Sequence, residues 1–208
     1  MRRLLISVTI PLALLLMVFI YQPAAAQFGI AAGFNYESLS DIDLGDAKGT
    51  FDSASGYHVG IFYDRMFGSV GVKVGIFYRD LGDFEGEWEG VQEEIDHFDL
   101  TMIDFPVDIR FNLSATPVVQ PYLLAGPVFS IPSSGSNTFD DSLESFLISG
   151  TIGGGIMMNI AGLKIFPEFR YMIGVSRLLE DQIEFLGTEL HTDVERVNSV
   201  MLRLGIFL

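Results

Sequence analysis

Apolar residues alternate with small or polar residues in one segment of this chain after another. At 28–37, every second residue from Phe28 to Tyr36 is apolar, and the residues between them are small or polar. A period of two indicates a β-strand with one apolar face and one polar face. The same alternation returns at 56–65, 70–79, 146–160, 164–175 and 200–208. The pattern therefore predicts an all-β fold.

Two further apolar segments are less regular. At 98–111 the apolar residues change parity near Met102, which predicts a β-bulge at that residue. At 119–130 both faces are apolar, so the sequence leaves open which face points inward. The eight segments together predict eight strands, each near the roughly 9–11 residues that a tilted membrane-spanning strand needs.

The connections between these strands alternate between long and short. Short turns on one side and long loops on the other are typical of an up-and-down outer-membrane β-barrel. The sequence thus predicts an eight-stranded antiparallel transmembrane β-barrel. The predicted long loops are 38–55, 80–97, 131–145 and 177–196, and the predicted short turns are 66–69, 112–118 and 161–163.

Charge follows the same division of the chain. Apolar residues make up 49% of the sequence, yet the formal net charge is −15, from 27 acidic and 12 basic residues. Of the 27 acidic residues, 21 fall in the four predicted long loops and none in the three short turns. Apolar strands and acidic loops therefore account for a composition that is unusual for a soluble globular protein. The acidic balance also argues against a nucleic-acid-binding surface.

The first 26 residues have the organisation of a secretory signal peptide. Arg2 and Arg3 precede an apolar run, and Ala24 and Ala26 have the small-residue spacing of a cleavage site. Cleavage after Ala26 would leave 27–208 as a single barrel domain. The alternative is one membrane anchor, but the apolar run is short for that role. The chain contains no cysteine, which excludes a lipoprotein attachment site and thiolate metal ligands.

Alternation alone does not decide which face of the barrel meets water, since a soluble lipocalin-like barrel alternates too. The polar face here is rich in small residues, including Gly29, Gly33 and Gly75, which suit a crowded interior. The apolar face carries aromatic residues near the strand ends, as expected of interfacial girdles. Both features favour a barrel with its apolar face in lipid. The end aromatics are Phe28, Tyr36, Tyr57, Tyr63, Tyr78 and Phe111.

The charged residues on the predicted inner face balance. A closed interior needs such balance because an unpaired buried charge is costly. They form a predicted lumen charge network; the alternative is that they are ordinary solvated charges of a soluble sheet. The five acids are Glu37, Asp64, Asp104, Asp108 and Glu168, and the five bases are Lys73, Arg79, Arg110, Arg170 and Arg203.

The sequence resembles the small outer-membrane β-barrel domain proteins common in Bacteroidetes and related bacteria, often labelled porin-like, with an OmpA/OmpX-like eight-stranded barrel. The segments that carry the resemblance are "FPVDIRF" at 105–111, "QPYLLAGP" at 120–127 and "NSVMLRLGIFL" at 198–208. The resemblance implies an outer-membrane location and a last strand that is recognised by the barrel-insertion machinery. The residues of that C-terminal insertion signal would be Leu204, Ile206, Phe207 and Leu208. Many members end in Phe, whereas this chain departs from that pattern and ends Phe207-Leu208.

Three classes of function remain, and no cofactor is implied. The leading one is a structural or surface-interaction protein with a filled lumen, whose acidic loops face lipopolysaccharide and take divalent cations through carboxylate oxygens. The alternative is a small-solute or cation channel, although aqueous porins use 16 or more strands. An outer-membrane lipid-modifying enzyme is less favoured, because His58, His97 and His191 lack a clearly placed Ser partner. Within the acidic loops, "DIDLGD" at 41–46 only partly matches a calcium loop, and Trp88 is either a packing residue or a partner contact.

Overall fold

The computed structural model describes residues 26–39, 42–43, 48–51, 53–84, 86–89, 98–113, 118–134, 145–176, 182–185, 188–191 and 196–208. The described residues form strands and turns, and none of the described residues forms a helix with the length and apolarity needed to cross a bilayer. The predicted signal peptide lies outside them, apart from Ala26, so cleavage after Ala26 stays a prediction. The barrel strands are β1 (Ala26–Leu39), β4 (Ala54–Phe67), β5 (Val70–Phe84), β7 (Phe98–Asn112), β8 (Val119–Ser134), β9 (Leu147–Ile160), β10 (Leu163–Gly174) and β13 (Val197–Phe207).

These eight strands form one closed antiparallel barrel, as the alternation predicted. Each strand pairs with its neighbour along the chain, and β1 closes the barrel by pairing with β13. Following the paired positions once around from Met66 leads back to β4 at Gly56, ten residues earlier. This stagger tilts the strands, and a tilted eight-stranded barrel has an interior just wide enough for side chains to fill.

Two of the short turns are tight hairpins. Phe67 pairs with Val70 across Gly68 and Ser69, and Gly68 has a positive φ of 70°. Ile160 pairs with Leu163 across Ala161 and Gly162, which have φ values of 51° and 89°. Two successive positive φ values are those of a type I′ turn, whose twist matches that of the flanking strands.

The inner and outer faces follow the predicted parity. Outward side chains such as Phe34, Ile61 and Leu202 are exposed, and exposure of this kind is expected of a surface that contacts lipid. The structure also settles the inward face of the segment that the sequence left open. In β8, Tyr122 and Leu124 are buried inside the barrel, whereas Leu123 is exposed on the outside.

The predicted bulge near Met102 is wrong. Met102 pairs with Arg79 on one side and with Pro132 on the other, in unbroken register. The irregularity in pairing lies in the neighbouring strand β5 instead. It falls between Asp80 and Asp83, where Gly82 has a positive φ of 83°. The change in apolar parity arises because apolar Met102 is buried in the lumen, which sequence parity alone does not reveal.

Small inward residues make room for aromatic side chains of neighbouring strands. A Cβ at Gly205 would meet the ring of Phe166, and a Cβ at Gly29 would meet the ring of Phe62. Both rings pack with Phe207, with centroids 5.2–5.3 Å apart within the trio. The trio lies on β4, β10 and β13, on both sides of the β1–β13 seam, so it packs across the place where the barrel closes.

Among the described residues, five short strands lie outside the barrel, in the predicted long loops. β3 (Lys48–Phe51) pairs with β2 (Ile42–Asp43) on one side and with β6 (Gly86–Glu89) on the other, which joins the first two long loops through one small sheet. β11 (Gln182–Phe185) and β12 (Thr188–His191) form a hairpin in the fourth loop.

Candidate functional site: the lumen

The structure places all ten predicted lumen charges on the inner face, and each has a charged partner within 4.0 Å. None of the ten is more than 6% exposed. They divide into two clusters and one separate pair. The upper cluster, toward the long loops, consists of Glu37, Arg79 and Asp104, and the lower cluster, toward the short turns, consists of Lys73, Asp108, Glu168, Arg170 and Arg203.

The upper cluster is organised around Arg79. Its Nε donates to Asp104 Oδ2 at 2.7 Å, and its Nη1 donates to Glu37 Oε1 at 3.1 Å. Hydroxyl groups complete the shell: Nη1 also donates to Ser199 Oγ at 3.0 Å, and Ser130 Oγ donates to Asp104 Oδ1 at 2.6 Å. The planar guanidinium is thus fixed along several of its N–H directions.

The lower cluster is organised around the Glu168 carboxylate. Lys73 Nζ donates to Oε2 at 2.8 Å and Arg170 Nε donates to Oε1 at 2.6 Å. Tyr122 adds a hydroxyl donor to Oε2 at 2.7 Å. Arg203 Nη1 stands farther off, at 3.6 Å from Oε1, and its guanidinium carbon lies 3.9 Å from the centroid of the Phe77 ring. Arg170 extends the cluster to Asp108, whose Oδ2 accepts from Nη2 at 2.6 Å.

Asp64 and Arg110 form the separate pair, near the short turns. Arg110 also lies over the Tyr122 ring, with its guanidinium carbon 4.2 Å from the centroid. Four buried side-chain atoms in the described part of the lumen have no hydrogen-bond partner there: Asp64 Oδ1, Asp108 Oδ1, Thr151 Oγ1 and Arg203 Nη1. Three of the four belong to the lower cluster or to this pair, so the hydrogen bonding of the lumen is incomplete on its lower side.

His58 connects the two clusters. Arg203 Nε donates to His58 Nε2 at 3.2 Å, so Nδ1 carries the ring hydrogen and donates to Asn35 Oδ1, also at 3.2 Å. Asn35 Nδ2 then donates to Glu37 Oε1 at 2.9 Å. His58 lies on the same face of β4 as Asp64, but its described hydrogen bonds are to these other residues. Both ring nitrogens are therefore engaged in the network.

Sequence reasoning missed several polar members of the lumen. Asn35 and Ser199 share the parity of Glu37 and Arg203 on their strands, so their inward direction could have been read from the pattern. Ser130 and Tyr122 lie on β8, whose inward face the sequence left open. Hydroxyl and amide groups are uncharged, so the balance of charge on the inner face does not indicate them.

The four residues of the predicted insertion signal divide between the two faces of β13. Leu204 and Leu208 are exposed on the outside, Ile206 is half-buried, and Phe207 is buried in the lumen at 7% exposure. Phe207 packs with the inner aromatic trio instead of facing lipid. The outward part of the signal therefore consists of aliphatic side chains.

The predicted cation sites of the acidic loops lie mostly outside the described residues. Of the "DIDLGD" carboxylates only Asp43 falls in the described part, in β2, while Trp88 falls in β6 and His191 in β12. His97 is outside it. Within the described ranges, no group of three or more His, Asp or Glu side chains is arranged to hold a metal ion. Divalent cations at the loops stay a prediction.

A family model described as "outer membrane protein beta-barrel domain" matches residues 21–180. No curated protein matches the chain. Among solved structures, the outer membrane protein OprG from Pseudomonas aeruginosa is similar, with 18% sequence identity, a TM-score of 0.51, and coverage of 88% of this chain and 96% of that one. At this identity the likeness concerns the fold.

Two further solved structures cover the same 88% of this chain at lower TM-scores. Neisserial surface protein A has 14% identity and a TM-score of 0.49, with 88% of this chain and 99% of that one covered. Ail, the attachment invasion locus protein of Yersinia pestis, in complex with the heparin analogue sucrose octasulfate, has 17% identity and a TM-score of 0.43, with the same coverage of 88% and 99%.

Proposed function

We propose a scaffold function for this chain, which belongs to the outer membrane protein beta-barrel domain family. Its location is the outer membrane. In the proposal the barrel conducts no solute, because its lumen is closed by side chains, and it presents four acidic loops at the cell surface. The loops interact with the surface around them, and no catalytic step is involved.

The observation that carries the proposal is the pairing of every inward charge. Each of the ten is buried and has a partner of opposite charge within 4.0 Å. Buried ion pairs contribute little net stability, since desolvation offsets their attraction. They do occupy the lumen with groups that are hydrogen-bonded across it, such as Lys73 on β5 to Glu168 on β10. This arrangement supports a plug better than an aqueous pore.

The partners in this proposal follow from the charge of the loops. With 21 of the 27 acidic residues in the long loops, the loop surface carries the same sign as lipopolysaccharide phosphates. Divalent cations bound by carboxylate and phosphate oxygens would bridge the two. The barrel-insertion machinery is the other partner, and it would read the outward aliphatic residues at the end of β13.

A small-solute or cation channel is the second candidate. It is favoured by the unpartnered buried atoms Asp64 Oδ1, Asp108 Oδ1 and Arg203 Nη1 in the lower lumen. An enzymatic role has less support, because the inward His58 is bonded to Arg203 and Asn35 instead of to a nucleophile.

Single-channel recording of the mature chain in planar bilayers tests the closed lumen. We expect no steady conductance from the wild type. As a positive control, Arg170→Ala removes the side chain that bridges Asp108 and Glu168, and it should produce measurable steps. Regular cation-selective steps from the wild type would overturn the plugged lumen and favour the channel.

Co-sedimentation with lipopolysaccharide aggregates tests the surface role. Binding of barrels in detergent should rise when Mg²⁺ is added and fall when EDTA is added. A variant of loop 80–97 with Glu93, Glu94 and Asp96 changed to their amides should lose part of the Mg²⁺-dependent increase. If the co-sedimented fraction changes neither with Mg²⁺ nor with this substitution, cation bridging is contradicted.

A further inference from the structure

Lys73 bonds a carboxylate on a distant strand instead of the acids on its neighbouring strands. Its paired neighbours on β4 and β7 are both acids, Asp64 and Asp108. Its ammonium nevertheless reaches across the lumen to Glu168 Oε2 on β10, at 2.8 Å. The two acids beside it in register are bonded by arginines instead, Asp64 by Arg110 and Asp108 by Arg170. Glu168 is bonded by Arg170 as well as by Lys73.

Aromatic faces take up the remaining sides of the ammonium. Lys73 Nζ lies 4.0 Å from the centroid of the Phe166 ring and 4.7 Å from that of Phe62. Lys73 as a whole is 2% exposed. A carboxylate with two aromatic faces is the composition of sites that bind organic ammonium ions, because the ring quadrupoles attract a desolvated cation.

The neighbouring carboxylates have bonding capacity to spare. Asp64 gives one oxygen to Arg110 and Asp108 gives one to Arg170, while Asp64 Oδ1 and Asp108 Oδ1 are buried without a partner in the described part of the chain. Carboxylate oxygens accept hydrogen bonds only, so these two atoms call for a donor or a cation.

The lysine is also less constrained than Arg170, the base with which it shares Glu168. An arginine is a planar fork that binds carboxylates in a fixed geometry, whereas a lysine is a point charge on a flexible stem. Arg170 bonds two carboxylates. Lys73 makes its described hydrogen bond to one carboxylate.

We propose that the lower lumen contains a binding site for a primary alkylammonium ion, and that the ammonium of Lys73 occupies this site as a tethered ligand. Glu168 supplies the charge and the hydrogen-bond acceptor, and Phe62 and Phe166 supply the aromatic walls. The stem of Lys73 blocks the lumen at this level. The inference rests on the proposed closed lumen, and it names the side chain whose removal opens a cation site there.

The test is rescue of Lys73→Ala by ethylammonium, with the ligand present throughout refolding so that entry through the wall does not limit binding. The matched control is Lys73→Met, which removes the charge but keeps the stem in place. The folded fraction of the full mature chain is followed in urea, at equal ionic strength with sodium chloride or tetramethylammonium chloride in place of ethylammonium chloride.

We expect ethylammonium to raise the folding equilibrium constant of Lys73→Ala saturably, about tenfold at ten times its dissociation constant. Wild type and Lys73→Met should not respond, because their stems fill the site. A Lys73→Ala chain that folds only with ethylammonium also supports the site. The same response to sodium or tetramethylammonium, an equal response of Lys73→Met, or failure of Lys73→Ala to fold with ethylammonium as well as without it would overturn it.

Bilayer recording of the wild type separates this inference from the proposed function. A silent wild type together with no rescue of Lys73→Ala rejects the ammonium site and leaves the closed barrel standing. A conducting wild type rejects the closed barrel, while the rescue measurement still tests the alkylammonium site.

Discussion

The upper and lower clusters of the lumen contain the same kinds of charged groups but bond them differently. In the upper cluster, Arg79 is held by two carboxylates and a hydroxyl, and all of its members are satisfied within the described residues. In the lower cluster, three bases lie within 4.0 Å of Glu168, aromatic rings cover part of the charge, and Asp108 and Arg203 keep unpartnered atoms.

This difference shows that balanced charge is not the same as satisfied hydrogen bonding. Removing one member of a satisfied network leaves a buried group unpaired, and that is where the cost of a substitution is largest. A network with atoms already unpartnered has less to lose at those atoms. The upper cluster should therefore act as the rigid part of the plug, and the lower cluster as the part that can accept another group.

The largest effect is expected from Arg79→Met. The substitution leaves Glu37 and Asp104 buried without their cation, and we expect a loss of about 3–5 kcal/mol in the free energy of unfolding. Urea titration of the refolded barrel, read by gel mobility of unheated samples, measures it. Lys164→Met, a change of a half-buried base near a short turn, is the control. If Arg79→Met lost no more free energy of unfolding than the control, the upper cluster would not be the rigid part of the lumen.

The aromatic side of the lower lumen is tested by Phe166→Ala against Phe169→Ala. Both residues lie on β10, but Phe166 packs inside with Phe62 and Phe207, whereas Phe169 is 49% exposed on the outer face. We expect Phe166→Ala to cost about 3 kcal/mol through the cavity it leaves. Phe169→Ala should cost less in the same titration. Equal losses would mean that the inner trio adds nothing beyond ordinary contact with the surroundings.

Gly205→Ala tests the packing of the inner aromatic trio at the β1–β13 seam, where the barrel closes. A Cβ at Gly205 would meet the Phe166 ring, so the ring must shift, at a cost of about 1–3 kcal/mol. At Gly150 nothing lies within 4 Å of an added Cβ, and Gly150→Ala should leave stability nearly unchanged. Thermal unfolding of the two variants side by side decides the matter, and a harmless Gly205→Ala would contradict tight packing at the seam.

The smallest contrast compares a bonded hydroxyl with an unbonded one. Ser130 donates to Asp104 in the upper cluster at 2.6 Å, so Ser130→Ala should cost about 1 kcal/mol. Thr151 Oγ1 is buried without a partner in the described lumen, so the isosteric Thr151→Val should be neutral or stabilising. The difference between the two midpoints in urea is the measurement. A costlier Thr151→Val would show that this hydroxyl is bonded after all.

Much of the architecture could be predicted because strand parity is local information. Each of the ten lumen charges was assigned to the inner face from its position relative to apolar neighbours, and each is buried there. The failures came where one face did not contrast with the other. In β7 the inward face includes apolar Leu100 and Met102, so the sequence pattern looks as if the inward face changes along the strand. In β8 both faces are apolar, so the pattern does not distinguish them.

Partner choice within the lumen could not be predicted. Lys73 is paired in register with Asp64 and Asp108, and a reading of neighbouring strands would have assigned it to either one. It bonds Glu168 instead, because the small diameter and the stagger of the barrel bring side chains of distant strands together at its centre.

The sequence by itself determined the barrel, the inward face of every barrel strand except β8, and the separation of acidic loops from apolar strands, because a period of two and the spacing of turns are properties of consecutive residues. Only the closed tertiary structure decided which charges meet, that Phe207 points into the lumen beside Phe62 and Phe166, and that the hydrogen bonds are complete above and incomplete below. Those outcomes depend on the curvature and stagger of the whole sheet, which place residues far apart in the chain at hydrogen-bonding distance.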